Sequence, residues 1–459
     1  MPMRFWRLIG RAGARFAGVA AACVVAAATA SLHAVGPAAA THSGLAPWPA
    51  VAMSQQGRPL GVHPASQPFG GYTPAQIRAA YSVRPLLRRG IDGKGTSIVI
   101  VDSFGSPTIR RDLAVFDREF ALRAPSLMII HPAGRIPPFN IQNSDMVAWA
   151  DETTLDVQWA HVMAPAARIV LVETPTSENE GTSGFPQIVK AEKYVLAHHL
   201  GGVISQSFGA TEETFPKGTL RPLRGAYIEA ARPRYEVTVL AASGDNGATD
   251  LKTDMSLLYT HRVTEWPASD PLVTGVGGLD LSLDPSGRRT APDQVWDDPG
   301  SANAGGGGKS VVFSRPAFQH GVASVVGRHR GVPDVSLSAS DIDAVDIYES
   351  FDGAGWSAFG GTSEATPLFA GIVALADQVA RRPVGPINGF LYAMASRHDR
   401  GIVDITHGNN TVTFDQGGKQ YTVRGWNAVR GYDLSSGIGT VDAQFFVPEL
   451  AAMARKAHQ

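Results

Sequence analysis

The chain has 459 residues, of which 44% are hydrophobic, so it is long and apolar enough to bury a large core. Its 40 basic residues are balanced by 41 acidic ones, and no long basic run occurs. This balance excludes nucleic acid and an anionic membrane surface as expected partners.

The first 40 residues have the layout of an export signal. Four arginines occur within the first 15 positions, an apolar stretch covers residues 16–32, and a small-residue tail ends at residue 40. We therefore predict a signal peptide over residues 1–40 and a secreted, extracellular protein that has no membrane contact after signal removal. A membrane anchor is the alternative, although 17 apolar residues lie at the short limit for a span.

The segment after the signal leads into the first helix. The only cysteine, Cys23, lies inside the apolar stretch, so the mature protein is expected to have no disulfide. Residues 41–71 are rich in Pro, Gly and Ser and predict a flexible lead-in. Thr73 and Pro74 then indicate a helix start, because a threonine caps free N–H groups and a proline fits the first helical position.

Beyond this helix, short apolar runs alternate with helix-length segments. The candidate strands cover residues 97–101, 168–172, 202–205 and 237–242. Such an alternation predicts an α/β fold with a buried parallel sheet. Functional side chains are expected where the strands end and the helices begin.

The stretch FGGTSEATPL, residues 359–368, fits such a position. Its two glycines permit a tight turn, and Pro367 is tolerated in the first helical turn. Ser363 is then predicted near a helix N-terminus, where the helix dipole favours developing negative charge. The alternative is a Ser/Thr helix cap.

A nucleophilic serine needs a base, which is usually a histidine oriented by an aspartate. Residues 100–103, IVDS, resemble the strand-end aspartate segment of subtilisin-like proteases, with Asp102 as the aspartate. The His-Gly-Thr helix of those proteases is absent, and only His320 and His407 precede a glycine. A subtilisin-like peptidase that uses Asp102 and an unrecognised histidine is kept as an alternative.

Where that histidine helix is expected, residues 151–156 read DETTLD. Positions i and i+4 share one helix face, so the carboxyls of Glu152 and Asp156 can meet there. A buried pair that shares a proton can accept a proton from a serine at low pH, where a histidine would already be charged. The alternative is two acidic residues in a first helical turn that complement the helix dipole.

A further acidic candidate follows a predicted strand. Residues 237–250 read VTVLAASGDNGATD, which places Asp245 in a glycine-bracketed turn. A protonated aspartic acid at a strand end can donate a hydrogen bond to the oxyanion of a tetrahedral intermediate. An ordinary turn aspartate is the alternative.

The segments ETTLD, SGDNG and GGTSEATP, in this order, resemble those of the sedolisin family, the serine-carboxyl peptidases. The resemblance extends from about residue 72 to about residue 442. It implies a subtilisin-like α/β fold, with a parallel sheet and helices on both faces, in one peptidase domain over residues 72–459. It also implies a site made of the nucleophile Ser363, the general base Glu152, its orienting partner Asp156, the oxyanion donor Asp245, and the substrate-binding backbone of Ser207 and Gly209.

The same resemblance implies one calcium ion, Ca2+, in the loops of about residues 404–433. The matching ligands are the side chains of Asp404 and Asp433 and the carbonyls of Ile405, Val429 and Gly431. Carboxylate and carbonyl oxygens are the ligands that calcium prefers. Ordinary turn aspartates are the alternative.

The expected function is hydrolysis of peptide bonds in protein or peptide substrates at acidic pH by a secreted monomer. Whether cleavage is internal or releases short N-terminal peptides is left open. A catalytically inactive secreted binding protein with a peptidase fold is another alternative. About 30 residues separate the signal from the first helix, so the long propeptide usual in the family is expected to be absent. Asp102 stands where some members have glutamate, and Phe208 where some have tryptophan.

A glycine-rich segment, GGGGKS at residues 305–310, is similar to a phosphate-binding loop. Asn303 occupies the position of the required first glycine, and no clear strand precedes the segment. A flexible surface loop is therefore expected here.

Overall fold

An eight-stranded sheet lies at the centre of the protein, which a computed structural model describes over residues 69–457. The strands are β1 (Ser97–Ser103), β2 (Ser126–Ile130), β3 (Arg168–Thr174), β4 (Val203–Gln206), β5 (Ala210–Thr211), β6 (Thr238–Ala242), β7 (Glu265–Trp266), β8 (Thr274–Asp280), β9 (Gln294–Val295), β10 (Gly308–Ser314), β11 (His329–Val332), β12 (Val335–Ser338), β13 (Val345–Glu349), β14 (Gly355–Phe359), β15 (Ile402–Val403), β16 (Val412–Gln416), β17 (Lys419–Val423) and β18 (Thr440–Val441).

The central sheet is parallel along its main path. Its strands follow the order β12-β8-β6-β4-β1-β3-β2, and β9 adds an antiparallel strand beside β8. The other strands form two-stranded ribbons. The four strands predicted from apolar runs are the central strands β1, β3, β4 and β6, so the α/β prediction is confirmed.

Helices of very different lengths cover this sheet. They are α1 (Pro74–Ala80), α2 (Arg84–Arg88), α3 (Ile109–Glu119), α4 (Ser144–Met163), α5 (Phe185–Ala197), α6 (Leu220–Leu223), α7 (Gly225–Ala230), α8 (Ala323–Val326), α9 (Thr362–Ala380), α10 (Asn388–Ser396) and α11 (Ala443–Lys456). Thr73 caps α1 by accepting a hydrogen bond from the backbone N–H of Gln76, as the sequence predicts.

Both faces of the sheet are buried, and β1 shows how. Ile98 and Ile100 point into a core formed with α4, α9 and α11, whereas Val99 and Val101 point into a second core formed with α5 and α7. Successive residues of a strand face opposite sides, so a run of apolar residues is required when both sides are covered. The prediction of helices on both faces is confirmed.

Helices α4 and α9 lie side by side on one face of the sheet and carry the predicted acidic pair and serine. Gly371 of α9 leaves no room for a side chain, because a Cβ there would overlap the Cβ of Met163 in α4. This close approach holds the two helices in a defined alignment. It therefore sets the distance between the side chains that they present.

The glycine-rich segment 305–310 is not a surface loop. Its glycines are buried, and β10 begins at Gly308 and pairs antiparallel with β11. A Cβ on Gly306 would collide with the backbone of Ser243. The expectation of a flexible loop was wrong because these glycines serve close backbone packing, which local sequence does not distinguish from flexibility.

The predicted signal peptide, and the predicted lead-in up to residue 68, lie outside the described residues. Residues 69–457 fall within one compact unit. In this described part, no helix combines the length and the apolar character needed to cross a bilayer.

Candidate active site

Ser363 is the second residue of α9 and is fully buried. The residue at the N-cap position is Gly361, which has no side chain, so Ser363 does not occupy the capping position. The interpretation of Ser363 as a helix cap is therefore wrong. Its position in the first turn places the Ser363 hydroxyl where the positive end of the helix dipole stabilises a developing negative charge.

Glu152 and Asp156 lie in the middle of α4, which begins at Ser144. They are therefore outside the first helical turn, and the helix-dipole alternative does not apply to them. Both residues are completely buried, and α4 is covered by other elements along most of its length. The i, i+4 spacing brings the two carboxyls together: each affects the pKa of the other.

Burial dominates the electrostatics of this pair. Loss of solvation raises the pKa of Glu152 well above its ordinary value, and the nearby carboxyls of Asp156 and Asp102 raise it further. The Ser363 hydroxyl interacts with Glu152 and lowers the Glu152 pKa. Burial and Asp102 likewise raise the pKa of Asp156. The pair therefore favours a state in which a proton is shared rather than two buried charges.

Ser207 joins the acidic helix to the serine helix. Its Oγ donates a hydrogen bond to Oδ1 of Asp156 at 2.8 Å and contacts the carbonyl oxygen of Ser363 at 3.4 Å. This hydrogen bond lowers the pKa of Asp156, because it stabilises the ionised form. The sequence pointed to Ser207 only through its backbone, so this side-chain contact was missed.

Asp245 lies in the turn that follows β6 and reaches the N-terminus of α9. Its Oδ1 accepts hydrogen bonds from the backbone N–H of Thr362 at 2.8 Å and from the Thr362 hydroxyl at 2.7 Å. Its Oδ2 has no hydrogen-bond partner among the described residues. Burial raises the pKa of Asp245 to about 7, so at acidic pH the carboxyl is protonated and can donate a hydrogen bond.

Asp102 belongs to the same buried site. Burial raises its pKa to about 7, its contact with Thr153 lowers it, and Glu173 raises it. The strand pairing places Asp102 opposite Glu173 in the parallel ladder of β1 and β3. The result is three acidic side chains, from β1 and α4, that share one apolar environment.

The histidine–carboxylate pairs of the described residues do not involve Asp102. Within residues 69–457, two histidines pair with carboxylates: His131 with Glu173 at 2.7 Å and His161 with Asp117 at 3.2 Å. The contact of Asp102 is with Thr153 instead. This arrangement does not support the alternative of a histidine base oriented by Asp102.

The predicted substrate segment, residues 207–209, connects β4 to β5. Phe208 is fully buried and packs against Trp149 and Phe185, with ring centroids 6.3 Å and 6.1 Å away. Gly209 lies directly against the carboxyl of Glu265, since a Cβ at Gly209 would collide with it. The backbone role of Ser207 and Gly209 in binding substrate stays a prediction.

The predicted calcium ligands include one contact between two loops, Asp404 with Gly431, and one contact within a single loop, Asp433 with Val429. Asp404 accepts hydrogen bonds from the backbone N–H of Gly431 at 3.0 Å and 3.2 Å, and Asp433 accepts one from Val429 at 3.0 Å. Ile405 follows Asp404 and is buried. Across the described residues, no group of three or more His, Cys, Asp or Glu is arranged to hold a metal ion. The predicted set has only two carboxylates, so this finding does not decide it.

Comparison with known proteins gives several similarities, although no protein-family model matches the chain. The chain is 30% identical over 376 residues to kumamolisin of Bacillus sp. (strain MN-32), an alignment that covers 80% of this chain and 62% of kumamolisin. It is 27% identical over 394 residues to tripeptidyl-peptidase 1 of Macaca fascicularis, covering 81% of this chain and 62% of that protein. The chain thus spans about three fifths of the length of these curated relatives.

A solved structure is also similar. It is Pseudomonas sedolisin, a serine-carboxyl proteinase, complexed with two molecules of pseudo-iodotyrostatin. It matches the fold described above with a TM-score of 0.67 at 25% sequence identity, and the match covers 84% of this chain and 98% of that one. These similarities, taken with the fold and the order of the acidic and serine segments along it, show that the chain belongs to the sedolisin family of serine-carboxyl peptidases.

Proposed function

We propose that this protein is a serine-carboxyl peptidase that hydrolyses peptide bonds at acidic pH through an acyl-enzyme on Ser363. The observation that carries the proposal is the meeting of α4 and α9, where the Ser363 hydroxyl interacts with a buried, proton-sharing carboxyl pair. The relative named tripeptidyl-peptidase 1 and the solved serine-carboxyl proteinase support the same reaction class.

In the first half of the reaction, the ionised carboxylate of Glu152 takes the hydroxyl proton of Ser363 as Oγ attacks the substrate carbonyl carbon. Asp156 orients Glu152 and shares a proton with it. The Ser207 hydroxyl holds Asp156 in position by a hydrogen bond. Protonated Asp245 donates from Oδ2 to the carbonyl oxygen as it becomes an oxyanion. Such a donor typically contributes about 100- to 1000-fold in rate.

The intermediate then collapses. Glu152 returns its proton to the leaving amine, the peptide C–N bond breaks, and Ser363 is left as an ester. A water molecule, deprotonated by Glu152, attacks this ester in the same way and releases the acid product. Each proton taken by Glu152 is returned, so the residue acts as base and acid in turn.

Acidic pH follows from the two protonation states that this reaction needs. The carboxyl pair must carry one negative charge, while Asp245 must keep its proton. Since burial raises the pKa of Asp245 to about 7, activity is expected to fall as the pH rises through that value. A histidine base, with an ordinary pKa of about 6.5, would instead fail on the acidic side.

The proposal includes secretion, a monomeric state, and protein or peptide substrates. The predicted signal peptide supports export, and the names of tripeptidyl-peptidase 1 and of the solved serine-carboxyl proteinase support the substrate class. Internal cleavage and release of N-terminal tripeptides are both compatible with the site. Peptide mass analysis of digestion products separates the two modes.

The proposal also includes one calcium ion held by the loops of residues 404–433. The donor set fits this ion, because the carboxylate of Asp404 lies against Gly431, the carboxylate of Asp433 lies against Val429 in the same loop, and both supply hard oxygens. Asp404 and Asp433 would contribute carboxylates, and Ile405, Val429 and Gly431 carbonyl oxygens. The ion would tie two loops together in a protein that has no disulfide to do so.

The test is hydrolysis of a mixed peptide pool between pH 2 and 8, comparing the wild-type protein with Ser363→Ala and Glu152→Ala. Activity on the acidic side that both substitutions remove is the expected result. Activity that survives Glu152→Ala but is lost when a histidine is replaced would favour the histidine-dependent peptidase. A folded wild-type protein that cleaves nothing at any pH would overturn the proposal and favour a binding protein.

A further inference from the structure

A cavity of about 500 Å³ lies at the edge of the central sheet where β1, β4 and β6 begin, and the end of α9 completes its wall. The residues of the proposed reaction lie at the other ends of these elements: Asp102 near the end of β1, Asp245 after β6, and Ser363 at the start of α9. A strand of seven residues such as β1 spans roughly 20 Å. The cavity is therefore separate from the candidate active site.

Three cationic side chains line this cavity. Lys94 comes from the turn before β1, and Arg381 and Arg382 directly follow α9. Arg382 forms an ion pair with Glu236, which lies two residues before β6. Lys94 and Arg381 are exposed, and neither forms an ion pair with a carboxylate of residues 69–457. Two positive charges of the lining therefore have no counterion from the described protein.

The carboxyl group in the lining, that of Asp377, does not neutralise these charges. Asp377 is buried, and its Oδ1 accepts a hydrogen bond from the backbone N–H of Val384 at 2.8 Å. Burial raises the pKa of Asp377 to about 8, so up to neutral pH the group is uncharged and can donate a hydrogen bond. Gly202, just before β4, keeps the space beside Oδ2 of Asp377 open, because a Cβ on Gly202 would overlap this oxygen. Asp377 is thus a possible donor to a bound anion and not a repelling charge.

The rest of the wall contains apolar side chains and is held in place. Leu196 and Pro383 contribute hydrocarbon surface. The side chain of Gln378 joins the end of α9 to the turn before β1, because its Oε1 accepts hydrogen bonds from the backbone N–H groups of Asp92 and Gly93 at 2.8 Å and 2.7 Å. The cavity is therefore formed by the fold itself, as sites for small molecules usually are.

We propose that this cavity binds an organic phosphate monoester, with the phosphate group on Lys94 and Arg381 and the organic group against the apolar wall. A phosphate group carries about two negative charges at neutral pH, so it can match two cations, whereas a carboxylate matches one. The guanidinium fork of arginine fits phosphate oxygens in a bidentate manner. Inorganic phosphate would fill only part of the cavity. The site goes beyond the proposed peptidase function and does not depend on it.

A phosphate monoester can be a free small molecule or the headgroup of a lipid, and the surface around the cavity favours the free molecule. A protein that binds lipid at a membrane surface usually inserts apolar side chains beside the headgroup site. None of the large apolar side chains that are exposed in residues 69–457 belongs to the lining of the cavity. The exposed lining residues include Lys94, His199 and Arg381, which are polar or charged.

The test is a titration of the wild-type protein with phenyl phosphate, followed by phosphorus NMR line broadening. Two charge-assisted hydrogen bonds are enough for a Kd of about 1 mM. Inorganic phosphate, which lacks the organic group, should bind about tenfold more weakly, and benzyl alcohol, which lacks the phosphate, should not compete. No saturable binding up to about 10 mM phenyl phosphate, ten times the expected Kd, would overturn the inference. Equal Kd values for phenyl phosphate and inorganic phosphate would overturn the assignment of an organic ligand.

The variants are Lys94→Gln, Arg381→Gln and the double substitution. Each single variant should weaken the binding of phenyl phosphate about tenfold, and the double variant about 100-fold, because each change removes one charge-assisted hydrogen bond. Arg424→Gln is the matched control, since Arg424 is an exposed arginine after β17 that lies outside the lining. An unchanged Kd in the double variant, or an equal loss in Arg424→Gln, would overturn the assignment. Thermal unfolding checks that the variants fold, and the single variants decide if the double variant does not.

Vesicles separate the two sources of the phosphate group. The protein should not sediment with phosphatidylcholine vesicles, with or without phosphatidic acid. Sedimentation that requires phosphatidic acid and that the double variant loses, without any binding of phenyl phosphate, would show that the ligand is a lipid headgroup and that the small-molecule assignment is wrong. Every arm measures binding and none measures peptide hydrolysis, so failure of this inference and failure of the proposed function are distinguishable.

Discussion

The hydroxyl of Ser207 donates to Oδ1 of Asp156 at 2.8 Å and joins the segment after β4 to the buried acidic helix α4. The same Oγ lies 3.4 Å from the carbonyl oxygen of Ser363, at the start of α9. One small side chain thus links three elements that the sequence separates widely. It is a positioning residue, because it acts on the acidic pair rather than on substrate.

Ser207→Ala is expected to lower kcat about tenfold and to shift the acidic limb of the pH profile to higher pH. The hydrogen bond lowers the pKa of Asp156, so its loss makes the pair harder to ionise. The measurement is a kcat-pH profile with one peptide. Ser205→Ala is the control, since Ser205 is buried in β4 but its hydroxyl has no partner. An unchanged acidic limb would contradict the positioning role.

Glu152→Gln and Asp156→Asn should lower activity and raise stability together. Loss of the base should cost about 100- to 10,000-fold in kcat. Removing one of two adjoining buried carboxyls relieves desolvation and repulsion, so the free energy of unfolding at neutral pH should rise. Urea unfolding at about pH 7 measures this. In the control variant Glu192→Gln, which replaces another fully buried carboxyl, on α5, the free energy of unfolding should rise without loss of activity. A Glu152→Gln variant with full activity would show that Glu152 is not the base.

Thr362→Val should move the alkaline limb of the activity profile to higher pH. The Thr362 hydroxyl donates to Oδ1 of Asp245 and lowers the pKa of that carboxyl, which burial has raised to about 7. Without this donor, Asp245 keeps its proton to a higher pH. The control is Thr366→Val, because the Thr366 hydroxyl donates to the carbonyl oxygen of Thr362, one turn away in α9. If the alkaline limb does not move in Thr362→Val, ionisation of Asp245 is not what causes it.

Asp245→Asn should remove this alkaline limb altogether. An amide keeps a donor but does not titrate, so the decline in activity near pH 7 should disappear. The reduced fit of the amide should lower kcat by about 100-fold or more. The measurement is kcat from about pH 4 to pH 9, the range that spans this titration. A persistent limb near the same pH would show that another group controls it.

The protein should be more stable at mildly acidic than at mildly alkaline pH. Burial raises the pKa of Asp102 to about 7, and those of Glu192 and Asp377 to about 8. In the unfolded chain these carboxyls ionise near pH 4, so between about pH 4 and pH 8 the unfolded state loses protons that the folded state retains. Stability is then lost as the pH rises through this window. Thermal unfolding should give a Tm that falls from pH 4 to pH 8, and a rising Tm would contradict it.

Removal of calcium should lower the Tm. Free ion at about 100 times its Kd stabilises a protein by about 2.7 kcal/mol, which corresponds to roughly 3 °C in a protein of this size. Thermal unfolding with and without EGTA measures this difference, which Asp404→Asn should abolish. Asp415→Asn is the control, because Asp415 is an exposed aspartate on β16 outside the predicted site. An equal response to EGTA in wild type and Asp404→Asn would place any bound calcium elsewhere.

The fold was largely predictable because its signals are local. The runs that become β1, β3, β4 and β6 are apolar on both faces, which requires a sheet covered on both sides. The segment 305–310 shows what cannot be predicted from local sequence. Buried glycines and flexible glycines look alike in sequence, and only the neighbouring backbone at Ser243 distinguishes them.

The sequence by itself determined which residue types are available and in what order: an i, i+4 carboxyl pair, a turn aspartate, and a serine at the start of a helix. Only the tertiary structure decided their protonation and their partners. Packing of α4 against α9 removes water from Glu152 and Asp156, and this desolvation raises their pKa values and favours a shared proton. Glu178 and Asp250 likewise lie far apart in the chain, and Asp250 raises the pKa of Glu178 only in the folded protein. No local pattern records which distant side chains will become neighbours.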